Sequence, residues 1–109
     1  MMRYDHSFEW DTQKAKANKQ KHRVTFEDAQ AVLEDAEADV YHIERYDDEH
    51  SMGEDRYVTI GSDPADRQIV LFIHWTQRRK GEQTFTRIIS ARRATPQERR
   101  RDAQEIGRR

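Results

Sequence analysis

Nine consecutive residues, Gln68-Ile-Val-Leu-Phe-Ile-His-Trp-Thr76, limit what this chain can become more than any others. Ile69 to Trp75 is the longest apolar run, and only His74 interrupts it. It is strand-length, far below the ~20 residues that cross a bilayer as a helix. Because it is apolar on both faces, it reads as the central strand of a sheet, not as an edge.

The neighbouring segments supply partners for such a strand. Arg56-Tyr-Val-Thr-Ile-Gly61 alternates with period two, and Asp63-Pro-Ala-Asp66 has turn chemistry. Arg78-Arg-Lys-Gly-Glu82 reads as a hairpin loop with Gly81 available for positive φ. Gln83 to Ala91 is the returning strand, with Arg87 and Phe85 on one face and Ile88 on the other. Val40-Tyr-His-Ile43 and Arg3 to His6 are shorter strand candidates, and Tyr46 to Asp55 reads as an acidic loop. Upstream the period is helical. Asp11 caps a helix over Thr12 to His22, and Thr25-Phe-Glu-Asp28 opens a second that runs to about Asp35. Thr95-Pro-Gln-Glu98 is a capping box with proline at the first helical position, opening a third helix to about Ile106. Two N-terminal helices, an antiparallel sheet of about four strands and a C-terminal helix make an α+β fold.

Composition sets the outer bounds. A length of 109 residues predicts a single domain over 1–109. Charged residues make up 38% and hydrophobic ones 34%, which raises disorder as a rival; three capping signals and two long strands decide against it. No cysteine is present, so a disulfide framework, a thiolate metal site and a cysteine nucleophile are excluded. The first residues lack the apolar core of a signal peptide, so the expected address is cytoplasmic, with no membrane partner.

The net charge of −1 conceals a division. Met1 to Asp66 holds 8 Lys and Arg against 17 Asp and Glu, a net −9, while Arg67 to Arg109 is +8. Glu27 to Asp55 carries twelve acids and a single basic residue, Arg45; Lys14 to Arg23 is basic. The clustering points to a polyanion on one face and a basic partner on another.

Most familiar chemistries are absent. The four glycines are not spaced for a phosphate loop, there is no Gly-x-Ser-x-Gly elbow, and the five histidines form no metal-ligand pair. The expectation is no cofactor and no metal. What remains is arginine on and beside the last two strands: Arg78, Arg79, Arg87, Arg92 and Arg93. A guanidinium fork matches phosphate oxygens bidentately, so the functional reading is a phosphate clamp. The plainer alternative is a cross-strand salt bridge or an exposed sheet face. Trp75 and Tyr57 are candidate stacking platforms for unpaired bases, although central-strand aromatics usually pack in the core. His74, on the strand face opposite Trp75 and Ile73, reads by default as a core histidine, with a general acid/base role the alternative for it and for His22. Lys21 and His22 end the first helix, where its dipole favours cations.

These residues resemble a known family. Phe8-Glu-Trp-Asp11, Lys14-Ala15, Asn18, Lys21-His22, Val24-Thr-Phe26 and Ala29 are similar to the opening of the BrnT-type toxins. Glu54-Asp-Arg-Tyr-Val-Thr-Ile-Gly61 looks like their second block, and Arg87-Ile-Ile-Ser-Ala-Arg-Arg-Ala94 with Glu98-Arg99 like their signature. The resemblance implies a RelE-like fold and a ribonuclease toxin that inhibits translation. It also implies neutralisation by a BrnA-type antitoxin that binds operator DNA. Two positions depart from the pattern. Arg23 stands where glycine often follows Lys-His, and Gln77 where an acid often precedes the arginine matched by Arg78.

The expected activity is metal-independent RNA cleavage. Arg87 and Arg92 form the phosphate clamp, Arg78 and Arg56 support it, and His22 transfers protons or contacts substrate. Lys21, Arg79, Arg93, Trp75 and Tyr57 contact RNA. Two alternatives stay open: a module with this fold that binds RNA or protein without cutting, and a purely structural interaction protein.

Overall fold

Capping side chains start the helices where the sequence signals them. The computed structural model describes residues 7–35, 42–46 and 56–100. The Asp11 carboxylate accepts from the backbone N–H groups of Gln13 at 2.8 Å and Lys14 at 3.1 Å, opening α1 (Thr12–His22). Thr25 Oγ1 accepts from the Asp28 N–H at 3.0 Å and opens α2 (Phe26–Asp35). At the third site the capping box is reciprocal. Thr95 Oγ1 accepts from the Glu98 N–H while Glu98 Oε1 accepts from the Thr95 N–H, and a helix covers residues 96–100.

Five strands form one sheet in the order β1-β5-β4-β3-β2, comprising β1 (Phe8–Glu9), β2 (His42–Tyr46), β3 (Arg56–Asp63), β4 (Asp66–Lys80) and β5 (Gln83–Arg93). Strands β2 to β5 are the expected antiparallel set. The addition is β1, two residues parallel to β5, which makes the sheet mixed. The architecture is α+β and RelE-like, as expected. The strand candidate at Arg3–His6, Val40 and Tyr41 of the short strand, residues 47–55 of the expected loop and residues 101–106 of the third helix lie outside the described residues. The short strand runs past Ile43 to Tyr46, which is not loop, because pairing to β3 continues as far as Tyr57. The hairpin differs from expectation. Arg78, Arg79 and Lys80 continue β4, and the turn is only Gly81-Glu82, with Gly81 at φ 65°. A two-residue turn with glycine in the left-handed region lets both strands pair to their ends.

The helices pack on one face. Phe26, Ala29, Val32 and Leu33 of α2 bury against Leu71, Ile73, Trp75, Ile88 and Ala91, with Trp10 edge-on to Phe26 at 5.8 Å. On α1 only Asn18 is buried, so this helix lies shallowly, as its sparse apolar face requires. The opposite face carries a second, smaller cluster of Val58, Ile60 and Val70 with Phe72 and Ala94. No helix among the described residues is long and apolar enough to cross a membrane.

Arg23 ends α1 at φ 60°, ψ 27°, and its N–H bonds the Lys19 carbonyl at 2.9 Å. A side chain there pays the left-handed penalty that glycine avoids, which explains physically why glycine suits this position. Arg23→Gly should therefore stabilise the fold by about 0.5–1 kcal/mol, read as a Tm a few degrees higher. A lower Tm would contradict this account of the cap.

Candidate functional site

Simple alternation puts Arg87 and Arg92, five residues apart, on opposite faces of β5. The pairing shows otherwise. His74 pairs Ser90 and Trp75 pairs Ile88, so Ile89 is left out of the ladder as a bulge. After the bulge the alternation is inverted. Arg87 lies opposite Thr76 and Arg92 opposite Phe72, both on the face away from the helices. The Arg92 guanidinium sits over the Phe72 ring at 4.1 Å, consistent with that side.

The same register gathers the other arginines. Arg56 of β3 pairs Thr76, which pairs Arg87, which lies beside Glu9 of β1. One row therefore reads Arg56, Thr76, Arg87, Glu9 across four strands. Arg78 lies on this face two residues along β4 and is exposed. Four of the ten candidate residues, Arg56, Arg78, Arg87 and Arg92, thus share one sheet face. The other six do not join them. Trp75 is 7% exposed in the core, donates its Nε1–H to Thr59 Oγ1 at 2.9 Å, and stacks on Tyr57 at 4.7 Å. That pair lies on the helix side, away from the arginines. Arg79 and Arg93 are also on the helix-side face by register, and Arg79 Nε donates to the Gly81 carbonyl. Lys21 and His22 end α1, which stands on the helix side too. Gln77 pairs Thr86 and faces that side, so an acid there would not lie on the arginine face either. The basic stretch Lys14–Arg23 makes α1, and Lys16, Lys19, Gln20 and Arg23 line a groove along it.

Both clamp candidates already hold a carboxylate. Arg87 donates to Glu9 Oε2 at 2.9 Å, and Lys80 donates to Glu9 Oε1 at 2.7 Å. Arg92 and Glu98 form a bidentate pair at 2.8 and 2.9 Å. The Lys80 ammonium first, with Arg87 behind it, holds the Glu9 carboxyl below its ordinary value of 4.5 against the opposing effect of burial. The Arg92 guanidinium does the same for Glu98, whose N-capping bonds to Thr95 add to the shift; Arg92 is raised in return. The two arginines differ in what they have left to offer. Arg92 is gripped on its edge by Glu98 and on its face by Phe72, whereas among the described residues Arg87 makes one side-chain bond, to Glu9.

Glu98 has a lowered folded-state pKa, so the stability it contributes is complete above its ordinary value and lost as pH falls below 4.5 toward the folded value. Glu98→Gln should lower stability at neutral pH and flatten the acid side of the stability profile in that window. An unchanged acid limb, measured by denaturant unfolding across pH, would remove Glu98 from the account.

Sequence reasoning does not bring Glu9 or Glu98 to this face, whereas it does put His74 opposite Trp75 and Ile73, where the register has it. Glu9 reaches Arg87 from 78 positions away through a two-residue parallel strand, for which local sequence holds no signal. Among the described residues no three His, Asp or Glu side chains converge to hold a metal ion. A family model described as the ribonuclease toxin BrnT of type II toxin–antitoxin systems matches residues 10–98. No curated protein matches the chain.

Proposed function

Because the chain belongs to the BrnT family of ribonuclease toxins, we propose that it is an endoribonuclease that cuts RNA on the arginine face of its sheet without a metal ion. The observation that carries this reading is the bulge at Ile89, which turns Arg87 and Arg92 to one side with Arg56 and Arg78. RNA cleavage needs the ribose 2′-OH activated, the phosphorus attacked in line, and the charge that develops on its oxygens stabilised. Guanidinium groups aimed at those oxygens supply the last, usually the largest contribution. Arg87 is the principal group, since most of its donors remain to be engaged. Arg92 holds the adjacent segment through Glu98, and Arg56 and Arg78 flank the row.

The toxin acts in the cytoplasm and is neutralised by a BrnA-type antitoxin, which carries operator DNA into the complex. The acidic stretch Glu27 to Asp55 suits a basic segment of that partner by charge. A second reading has one observation in its favour. Arg87 and Arg92 are both ion-paired within the chain, as they would be in a structural or non-catalytic RNA- or protein-binding module.

One experiment separates these readings. Purified protein is incubated with a long single-stranded transcript in EDTA, and products and mobility are followed together. Cleavage is expected. A mobility shift with intact RNA would establish the binding module, and neither effect would leave only protein contacts.

A further inference from the structure

We infer that α1 carries a second RNA surface, a stripe of Lys16, Lys19 and Arg23 that holds phosphates of the strand flanking the cut. The identity of the ligand rests on the ribonuclease reading; the surface itself rests on charge and placement. Residues 12 to 26 contain five lysines and arginines and no acid. Lys16, Lys19, Gln20 and Arg23 follow helical spacing on the exposed side of α1 and line a groove there, while Asn18 is buried toward the sheet. Among the described residues none of the three cations has an ion pair.

Folding does not account for the stripe. The dipole of α1 favours cations in its last turn but opposes one in its first, where Lys14 stands and no acid does. Lys16 and Lys19 are three positions apart, and Lys19 and Arg23 four, so neighbouring charges repel. Arg23 also holds φ 60°, a conformation in which glycine is less strained, yet the position carries a cation.

The groove fits a phosphate backbone better than a folded protein. Its walls are lysine and arginine stems with charged ends and one amide, and no aromatic or aliphatic residue is there to anchor a protein partner. Phosphate contacts need only the charges and impose no sequence requirement. Placement agrees. The Asn18 amide bonds both Val24 and Ala91, so the end of α1 meets the far part of β5. Next along β5 come Arg92, on the arginine face, and Arg93, exposed on the helix side. Strand β1 pairs β5 only at Thr86 and Arg87. An RNA strand held at Arg87 can therefore round this edge of the sheet past Arg93 and reach α1.

The test titrates salt against binding of a 2′-O-methyl RNA oligonucleotide, which lacks the reacting 2′-OH, and follows cleavage of a long transcript in parallel. Lys16→Gln, Lys19→Gln and Arg23→Gln are combined in one protein, with folding checked by circular dichroism. Losing these phosphate contacts should reduce the slope of log affinity against log salt by about 2. From about 50 to 200 mM salt, wild-type affinity should therefore fall about 20-fold more than that of the variant. KM for the transcript should rise with kcat unchanged. The combination Lys16→Arg, Lys19→Arg and Arg23→Lys keeps every charge and should bind like wild type. A wild-type slope in the folded glutamine variant would overturn the inference. So would weakened binding of poly-glutamate with RNA affinity intact, which would give the stripe to an acidic protein partner instead. A reduced slope with an uncut transcript would uphold the surface and overturn the ribonuclease reading.

Discussion

Arg87→Ala should lower RNA cleavage by about 10²–10³-fold and abolish growth arrest on expression, with the fold retained. The size follows from removing a preorganised donor aimed at the charge that develops in the transition state. Retention of the fold follows from the environment. The Arg87 side chain is 27% exposed, and Glu9 keeps Lys80 at 2.7 Å when Arg87 is gone. A part-exposed pair of this kind contributes little to stability, so the melting temperature should fall by only a few degrees. Arg87→Lys keeps the charge but loses the fork and should recover only part of the rate. Kinetics on a defined transcript, alongside a thermal melt, separate the effects. A folded Arg87→Ala protein that cleaves at the wild-type rate would show that the arginine serves only its ion pair.

The largest stability effect should come from Asn18→Ala. Asn18 is 8% exposed and makes three hydrogen bonds to main chain. Its Nδ2 donates to the Val24 carbonyl at 3.0 Å and to the Ala91 carbonyl at 2.8 Å, while Oδ1 accepts from the Ala91 N–H at 3.1 Å. Strand β1 pairs only Thr86 and Arg87, so Ala91 has no strand partner on that edge. The Asn18 amide takes the place of one, and it ties α1 and the segment between α1 and α2 to β5. Truncation strands three buried backbone groups at about 1 kcal/mol or more each, some 3 kcal/mol in total. That is a large part of the stability of a domain this size and should lower Tm by more than 10 °C. Hydrogen exchange gives a residue-level check, since the Ala91 amide should lose its protection. A variant that melts like wild type with Ala91 still protected would disprove this role.

The helices were legible because their signals are local. Asp11, Thr25 and Thr95 satisfy N–H groups two or three residues away, and a short window contains all that is needed. Strand β4 was legible because burial on both faces leaves an unbroken apolar run. The hairpin loop reads too long in sequence because Arg78, Arg79 and Lys80 are exposed and charged, yet main-chain pairing to β5 holds them in strand. The site was only half legible. Arginine enrichment marked the last two strands, but which arginines share a face depends on the bulge. Ile89 itself looks like any other strand residue. The acids that balance the clamp are hidden for a related reason: Glu9 is distant in sequence, and the local role of Glu98 is that of a capping residue, which it also fills. His74 reads as core by default because central strands are usually covered, with an acid/base role as the alternative; the register sets it between the rows of Arg92 and Arg87.

The omitted residue in β5 makes spacing itself part of the site. Two arginines separated by an odd number of positions face the same way only while one residue stays outside the ladder. Forcing Ile89 into the ladder would therefore turn one arginine to the other side of the sheet, whereas loss of the Ile89 codon would leave the two four positions apart and still on one face. Every charge in the chain would survive either change, and no comparison of isoelectric point would tell them apart.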